Sequence, residues 1–87
     1  MIDPKYIVYE AWSQESVVIF DPTMVHKTVA EALLPGYKII SAGNCRIDRS
    51  GVYPEVSVYG ESVTLRTSSR SLKDVDLIAK FLFKGDI

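Results

Sequence analysis

Residues 5–20 read KYIVYEAWSQESVVIF, and this stretch decides the fold of the chain. Residues 5–12 and 16–20 are rich in the aromatic and β-branched residues that favour a pleated strand. The polar segment of residues 13–16 connects them. The pattern predicts an antiparallel hairpin that is closed by a loop of about four residues.

The predicted hairpin is apolar on both faces. Successive side chains of a strand point to opposite sides, and we expect a register in which Trp12 lies opposite Val17. One face then carries Ile7, Tyr9, Ala11, Val18 and Phe20, and the other carries Tyr6, Val8, Glu10, Trp12, Val17 and Ile19.

A first helix is predicted after the hairpin. Asp21 suits the N-cap and Pro22 suits the first helical position, and apolar residues recur at helical spacing through residues 23–34. The segment Leu34-Pro35-Gly36 ends the helix, because the residue before a proline leaves the α region and glycine tolerates a positive φ.

The second half of the chain repeats the order of strands and helix. Residues 37–47 predict a strand with a weak centre at residues 42–44, and residues 48–54 predict a turn. Residues 55–66 predict a long strand, whose apolar alternation changes parity at Gly60 and indicates a one-residue bulge there. After a polar junction at residues 67–71, an apolar stripe predicts a second helix that ends at Gly85. This stripe comprises Leu72, Val75, Ile78, Ala79 and Leu82.

These elements predict one α+β domain over residues 1–87, in the order ββαββα. We expect a four-stranded, mainly antiparallel sheet with two helices packed on one face. The helices share an ending, VAEALLPG at residues 29–36 and IAKFLFKG at residues 78–85, in which apolar-Ala-x-x-Leu-x-x-Gly recurs. The similarity indicates either a duplicated ββα unit or two amphipathic helices that resemble each other by chance.

Helices on one face of the sheet would leave the other face of the hairpin exposed. Monomers seldom tolerate an apolar patch of several hundred Å², and aromatic anchors are typical of binding hot spots. We therefore predict a protein interface formed by Tyr6, Val8, Trp12, Val17 and Ile19. Two alternatives stay open: a helix covers this face, or the true register differs by one residue.

A second candidate site lies where the last strand meets the second helix. Arg66, Ser68, Ser69 and Arg70 could place guanidinium groups, hydroxyls and free helix amides around a phosphate or carboxylate. In the plainer interpretation, Ser69 or Ser71 caps the helix and the arginines are solvated.

The composition disfavours several other classes of function. The chain has 10 Lys+Arg and 11 Asp+Glu, a net charge of -1, so nucleic-acid binding is not expected. His26, expected at the surface or a helix edge, and the distant Cys45 cannot supply a metal site or a disulfide. We expect no enzymatic activity and no cofactor, because no nucleophile–base arrangement is evident.

The sequence thus predicts a small non-enzymatic protein-binding module, an adaptor or inhibitor, that forms a homodimer or binds a foreign protein. Domains of this size are often encoded by phages or mobile elements. No apolar run approaches the roughly 18 residues of a membrane span, and no signal peptide is apparent, so we expect the cytoplasm. The alternative function is a regulator that binds phosphate or a nucleotide at residues 66–71.

Overall fold

The structure, a computed structural model, describes residues 3–33 and 35–83. It confirms the predicted α+β class and the four-stranded antiparallel sheet, whose strand order is β2-β1-β3-β4. The elements are β1 (Lys5–Ala11), β2 (Gln14–Phe20), α1 (His26–Leu33), β3 (Lys38–Asp48), β4 (Glu55–Tyr59), β5 (Glu61–Ser62), β6 (Thr67–Ser68) and α2 (Ser71–Phe83). Leu34 and Gly85, at the predicted helix ends, lie outside the described residues. No helix in the described ranges is long and apolar enough to cross a membrane.

The β1–β2 hairpin closes more tightly than the sequence predicts. Ala11 pairs with Gln14, so the turn consists of Trp12 and Ser13 alone. The predicted four-residue loop and the pairing of Trp12 with Val17 are therefore wrong. Because the two registers differ by an even number of residues, the predicted division of side chains between the two faces is retained.

Helix α1 begins at His26, later than predicted. The Asp21 carboxylate accepts hydrogen bonds from the amide and the hydroxyl of Thr23, at 2.8 and 2.6 Å. The Asp21 carbonyl accepts the Met24 amide at 3.0 Å. Asp21 therefore caps a turn that contains Pro22, because an aspartate can satisfy such local donors without a helix.

The two helices cover opposite faces of the sheet, so the prediction that both pack on one face is wrong. Helix α2 packs Ile78 into the cluster that contains Tyr6, whereas α1 packs Val29 against Ile7. Tyr6 and Ile7 are consecutive in β1 and point to opposite sides. The reason lies in the hairpin: since both of its faces are apolar, one helix on each side removes more apolar surface from water. The buried α2 side comprises Tyr6, Val8, Val17, Cys45 and Ile78, and the α1 side comprises Ile7, Val29, Ala30 and Ala42.

The placement of the helices also bears on whether their similar endings, at residues 29–36 and 78–85, come from a duplicated unit. Strands β1 and β3 are antiparallel neighbours. Two copies of a ββα unit that are joined in this way are related by a two-fold axis perpendicular to the sheet. Rotation about this axis exchanges β1 and β3 but does not exchange the two faces of the sheet. A duplicated unit would therefore place both helices on the same face. The observed arrangement favours the alternative, a chance similarity between two amphipathic helices.

The long strand predicted over residues 55–66 is broken at Gly60. Its φ of +77° lies in the region that glycine adopts without strain. The residues that follow form the separate β5–β6 hairpin, and Leu65 in its turn packs against the α1 side of the core. A break in the strand, rather than the predicted bulge, therefore explains the change of apolar parity.

The predicted weak centre of the third strand is a continuous part of β3. A Cβ at Gly43 would lie 2.6 Å from the carbonyl oxygen of Tyr59. The glycine is therefore needed for close approach of the neighbouring backbone rather than for a break in the strand.

Candidate docking surface

Strand β2 lies at the edge of the sheet with its outer side open. The two-residue turn makes Ala11 and Gln14 the first hydrogen-bonded pair, and such pairs alternate along an antiparallel ladder. Glu15, Val17 and Ile19 therefore direct their N–H and C=O groups away from β1. Within residues 3–33 and 35–83, no other element donates or accepts a backbone hydrogen bond there. An open edge of this kind is a template for another strand.

The amino-acid composition of β2 does not protect this edge. Native edge strands commonly carry lysine, proline or a bulge that prevents pairing with another chain. Strand β2, QESVVIF, has no lysine or proline, and it pairs with β1 without a register shift. Its single charged residue, Glu15, is already paired with Arg70 at 2.7 Å.

A groove of about 360 Å³ borders this edge, between β2 and α2. Val17 of β2 and Leu77 and Phe81 of α2 provide its aliphatic and phenyl lining, and Phe81 is 50% exposed. The two charged residues of the lining, Glu15 and Lys80, each have an ion partner within the chain. Glu15 pairs with Arg70 at 2.7 Å, and Lys80 pairs with Asp76 at 3.0 Å. The aliphatic and phenyl lining therefore suits an occupant with apolar side chains. The other lining residues are Tyr9, Glu15, Ser16 and Lys80.

The turn between β1 and β2 presents Trp12 to solvent in a strained backbone conformation. The φ angles of Trp12 and Ser13 are 56° and 65°, as a type I′ turn requires. For residues other than glycine, asparagine and aspartate, this conformation costs about 1 kcal/mol each. Trp12 is 93% exposed, so packing within the chain does not offset the cost. Such strain clusters at functional sites. We refer to the outer edge of β2, the groove and Trp12 together as the docking surface.

The structure separates the five residues of the predicted interface. Tyr6 and Val8 are fully buried beneath α2, Val17 is 7% exposed, and Ile19 packs against the same cluster. The prediction that this face is open is therefore wrong, because α2 covers it. Trp12 alone stays in solvent, whereas Val17 and Ile19 offer outward backbone groups instead of side chains.

Arg70, from the predicted anion site, is held by two carboxylates. Its Nη2 and Nη1 atoms donate to the Oε atoms of Glu15 at 2.7 and 3.3 Å, and its Nε donates to Asp74 at 3.0 Å. The hydrogen bond from Arg70 is the main cause that lowers the pKa of Glu15, and the same bond raises the pKa of Arg70. A phosphate bound here would have to displace one carboxylate and lie beside the other.

The remaining residues of the predicted anion site have ordinary structural contacts. Arg66 lies in an exposed turn with a φ of 53°, and Ser68 is exposed in β6. Ser69 donates its hydroxyl to the carbonyl of Gly60 at 3.0 Å. The amide of Arg70, at the start of α2, donates to the Asp74 carboxylate at 2.8 Å. These contacts agree with the interpretation of a polar turn and a helix cap, although neither Ser69 nor Ser71 is the capping group.

Asp74 is a fully buried carboxylate that joins α2 to the sheet. It accepts the hydroxyl of Tyr6 at 2.6 Å and that of Ser41 at 2.8 Å, besides its bonds from Arg70. Burial, followed by the bond to Asp74, raises the pKa of Tyr6. Throughout the described part of the chain, every buried side-chain nitrogen or oxygen has a hydrogen-bond partner. The network is thus complete, which is typical of a structural role.

His26 and Cys45 are also buried. His26 donates from Nε2 to the carbonyl oxygen of Gly43 at 3.0 Å, and its ring meets Phe20 edge to face. Burial lowers the pKa of His26 and raises the pKa of Cys45 to about 11. The expectation of a surface histidine is wrong, because α1 begins at His26 and packs against the sheet. The ranges that the structure describes contain no group of three potential metal ligands.

Comparisons of the chain with protein-family models, with curated proteins and with solved structures give no match.

Proposed function

We propose that this chain is a non-enzymatic protein-binding module, an adaptor or inhibitor, that binds an extended segment of a partner protein at the docking surface. The open edge of β2 is the observation that carries the proposal. A partner strand can hydrogen-bond to the outward groups of Glu15, Val17 and Ile19, and can place alternate side chains in the groove. This is recognition by strand addition, in which main-chain bonds supply affinity and pockets supply specificity.

Trp12 completes the surface at one end of the β2 edge. A large aromatic side chain at a strained turn can cover the end of the added strand and exclude water from its hydrogen bonds. The apolar lining of the groove favours a segment with apolar side chains, and pairing with a strand favours β-branched residues. The free, buried Cys45 suits a reducing compartment, and we place the module in the cytoplasm.

Selection of peptides on the intact chain tests this proposal. The chain is immobilised at low density, so that copies do not meet, and a library of random linear peptides is selected against it. We expect apolar, β-forming peptides to be enriched. Bound peptide should shift the amide resonances of residues 14–20 more than those of the β4 edge.

A backbone variant identifies strand addition specifically. N-methylation of Val17 removes an outward donor and keeps every side chain, so peptide affinity should fall at least about tenfold. The matched control is N-methylation of Val58 on the other edge. Val58 of β4 lies opposite Cys45 of β3. The amide of Cys45 bonds to the carbonyl of Pro4 on the β1 side, so Cys45 and Val58 are a non-hydrogen-bonded pair. The amide of Val58 therefore points away from β3, toward the outer edge of β4. Peptides that bind the two N-methylated chains equally, or that shift only resonances elsewhere, would overturn the proposal.

A further inference from the structure

We infer that the partner strand at the docking surface is β2 of a second copy of this chain, paired antiparallel about a two-fold axis at Val17. The inference rests on the proposed docking function and names its partner. Joining the two edges would produce one continuous sheet of eight strands and leave neither β2 edge open.

The positions of the outward groups select one register. With Val17 opposite Val17 of the second copy, Glu15 lies opposite Ile19, and all three outward residues face outward residues. Each such pair exchanges two hydrogen bonds, which gives about six bonds across the interface. Shifting the two strands by two residues in either direction also sets outward groups opposite each other, but it leaves fewer than three such pairs within β2.

The charges of β2 permit this register. Glu15 is the single charged residue of the strand, and it faces the uncharged Ile19 of the second copy. The two Glu15 residues are four positions apart along the joined strands, about 14 Å. This distance exceeds the Debye length of about 8 Å at physiological ionic strength. The rest of β2, residues 16–20, is uncharged and rich in β-branched residues, so it places no further charge at the joined edges.

The same register places the hairpin turns at the two ends of the joined strands. Trp12 of each copy, 93% exposed in the isolated chain, then lies beyond Phe20 at the end of the other copy's β2. Residues 21–26 of that copy lead away from the edge, because Met24 accepts a hydrogen bond from Lys5 of β1 and His26 bonds to Gly43 of β3. The match of the three outward residues with themselves is therefore the feature that favours a second copy.

The two-fold axis also unites the grooves. It lies perpendicular to the sheet, so the α2 helices of both copies lie on the same side. The half-exposed Phe81 of each copy then faces the junction. The strand edge and the groove of one copy therefore meet the same features of the other copy, as in a two-fold interface.

The first test measures molecular mass from about 1 µM to about 1 mM by sedimentation velocity. We expect the mass to rise toward twice 9.7 kDa with concentration. N-methylation of Val17 should weaken self-association at least about tenfold, whereas N-methylation of Val58 should leave it unchanged. Far-UV circular dichroism verifies that both variants are folded.

The second test measures the register and needs no backbone modification. Ser16 and Val18 of the second copy form a non-hydrogen-bonded pair, in which Cα atoms lie about 4.5 Å apart, close enough for a disulfide. Oxidation of a mixture of the Ser16→Cys and Val18→Cys chains should therefore yield mainly the mixed disulfide. Unmodified chain is the control, because its buried Cys45 should not cross-link.

The outcomes separate this inference from the function on which it rests. A dimer that persists after N-methylation of Val17, or homodisulfides in place of the mixed product, would overturn the proposed pairing. A chain that stays monomeric, yet binds selected peptides through Val17, would overturn the second copy as partner and retain the docking function. A monomer without Val17-dependent peptides would contradict both.

Discussion

Replacing Trp12 and Ser13 by Asn and Gly should stabilise the isolated chain, although the change removes its single tryptophan. Both positions have φ angles in the left-handed region, at 56° and 65°. Asn-Gly adopts a type I′ turn readily, because asparagine tolerates this region and glycine has no Cβ. The expected gain comes from relief of backbone strain rather than from a new contact.

The magnitude follows from exposure and strain. Relief of about 1 kcal/mol at each position raises the free energy of unfolding by about 1–2 kcal/mol. Loss of the Trp12 side chain costs little, because it is 93% exposed. For a domain of this size, each kcal/mol raises Tm by about 4–8 °C. We therefore expect Tm to rise by about 5–15 °C in dilute solution.

Urea denaturation at low micromolar concentration, followed by far-UV circular dichroism, measures this change without tryptophan fluorescence. The single variants Trp12→Asn and Ser13→Gly are the controls, and each should give about half of the gain. A decrease of 1 kcal/mol or more in the double variant would refute the reasoning, since it would show that Trp12 packs within the isolated chain.

The same double variant should bind more weakly. If Trp12 covers the end of the joined strands, its loss should weaken self-association at least about tenfold, even though the monomer is more stable. That result would account for a strained tryptophan in the turn. Unchanged self-association in the Asn-Gly variant would remove Trp12 from the docking surface.

Four further predictions concern the interior and the charged residues. Asp74→Ala should destabilise the fold by about 3–5 kcal/mol, since it leaves the buried hydroxyls of Tyr6 and Ser41 without their acceptor and removes one of the two carboxylates that hold Arg70; Asp76→Ala, which breaks an exposed pair, should cost less than about 0.5 kcal/mol in the same urea titration. The lowered pKa of His26 means that the unfolded chain binds the proton more tightly, so the free energy of unfolding should decrease as the pH falls below about 6.5. His26→Gln should flatten this dependence, and an identical slope in both chains would contradict the assignment. Cys45, with its pKa raised to about 11, should react with a thiol reagent at the rate of unfolding rather than at the rate of a free thiol. Inorganic phosphate should not raise Tm; a rise that Arg70→Ala abolishes would instead support an anion site.

The residues of the first hairpin predict much of the fold. Alternation along residues 5–20 identifies two strands and assigns Tyr6 and Ile7 to opposite faces. It also shows that both faces need cover, and the two helices supply that cover. The tight turn was not predictable from propensity, because Trp12 and Ser13 are poor type I′ residues.

The helix placement and the candidate site required the structure. No local pattern states on which face of a sheet a helix packs, and none shows that β2 lies at an edge. The charge of Asp74 alone explains its position in the first turn of a helix, so the sequence gives no reason to expect a buried network there. Its partners Tyr6 and Ser41 lie 68 and 33 residues away along the chain. The groove was missed for the same reason, since Phe81 and Val17 meet only through the tertiary fold.

Amide hydrogen exchange of β2, measured residue by residue at low and high protein concentration, tests the central claim most directly. The amides of Ser16 and Val18 bond to β1 and should be protected at every concentration. We predict that the outward amides of Glu15, Val17 and Ile19 exchange rapidly when the chain is dilute and at least about tenfold more slowly when it is concentrated. Rapid exchange of these three amides at all concentrations would contradict pairing of the β2 edge with a second copy.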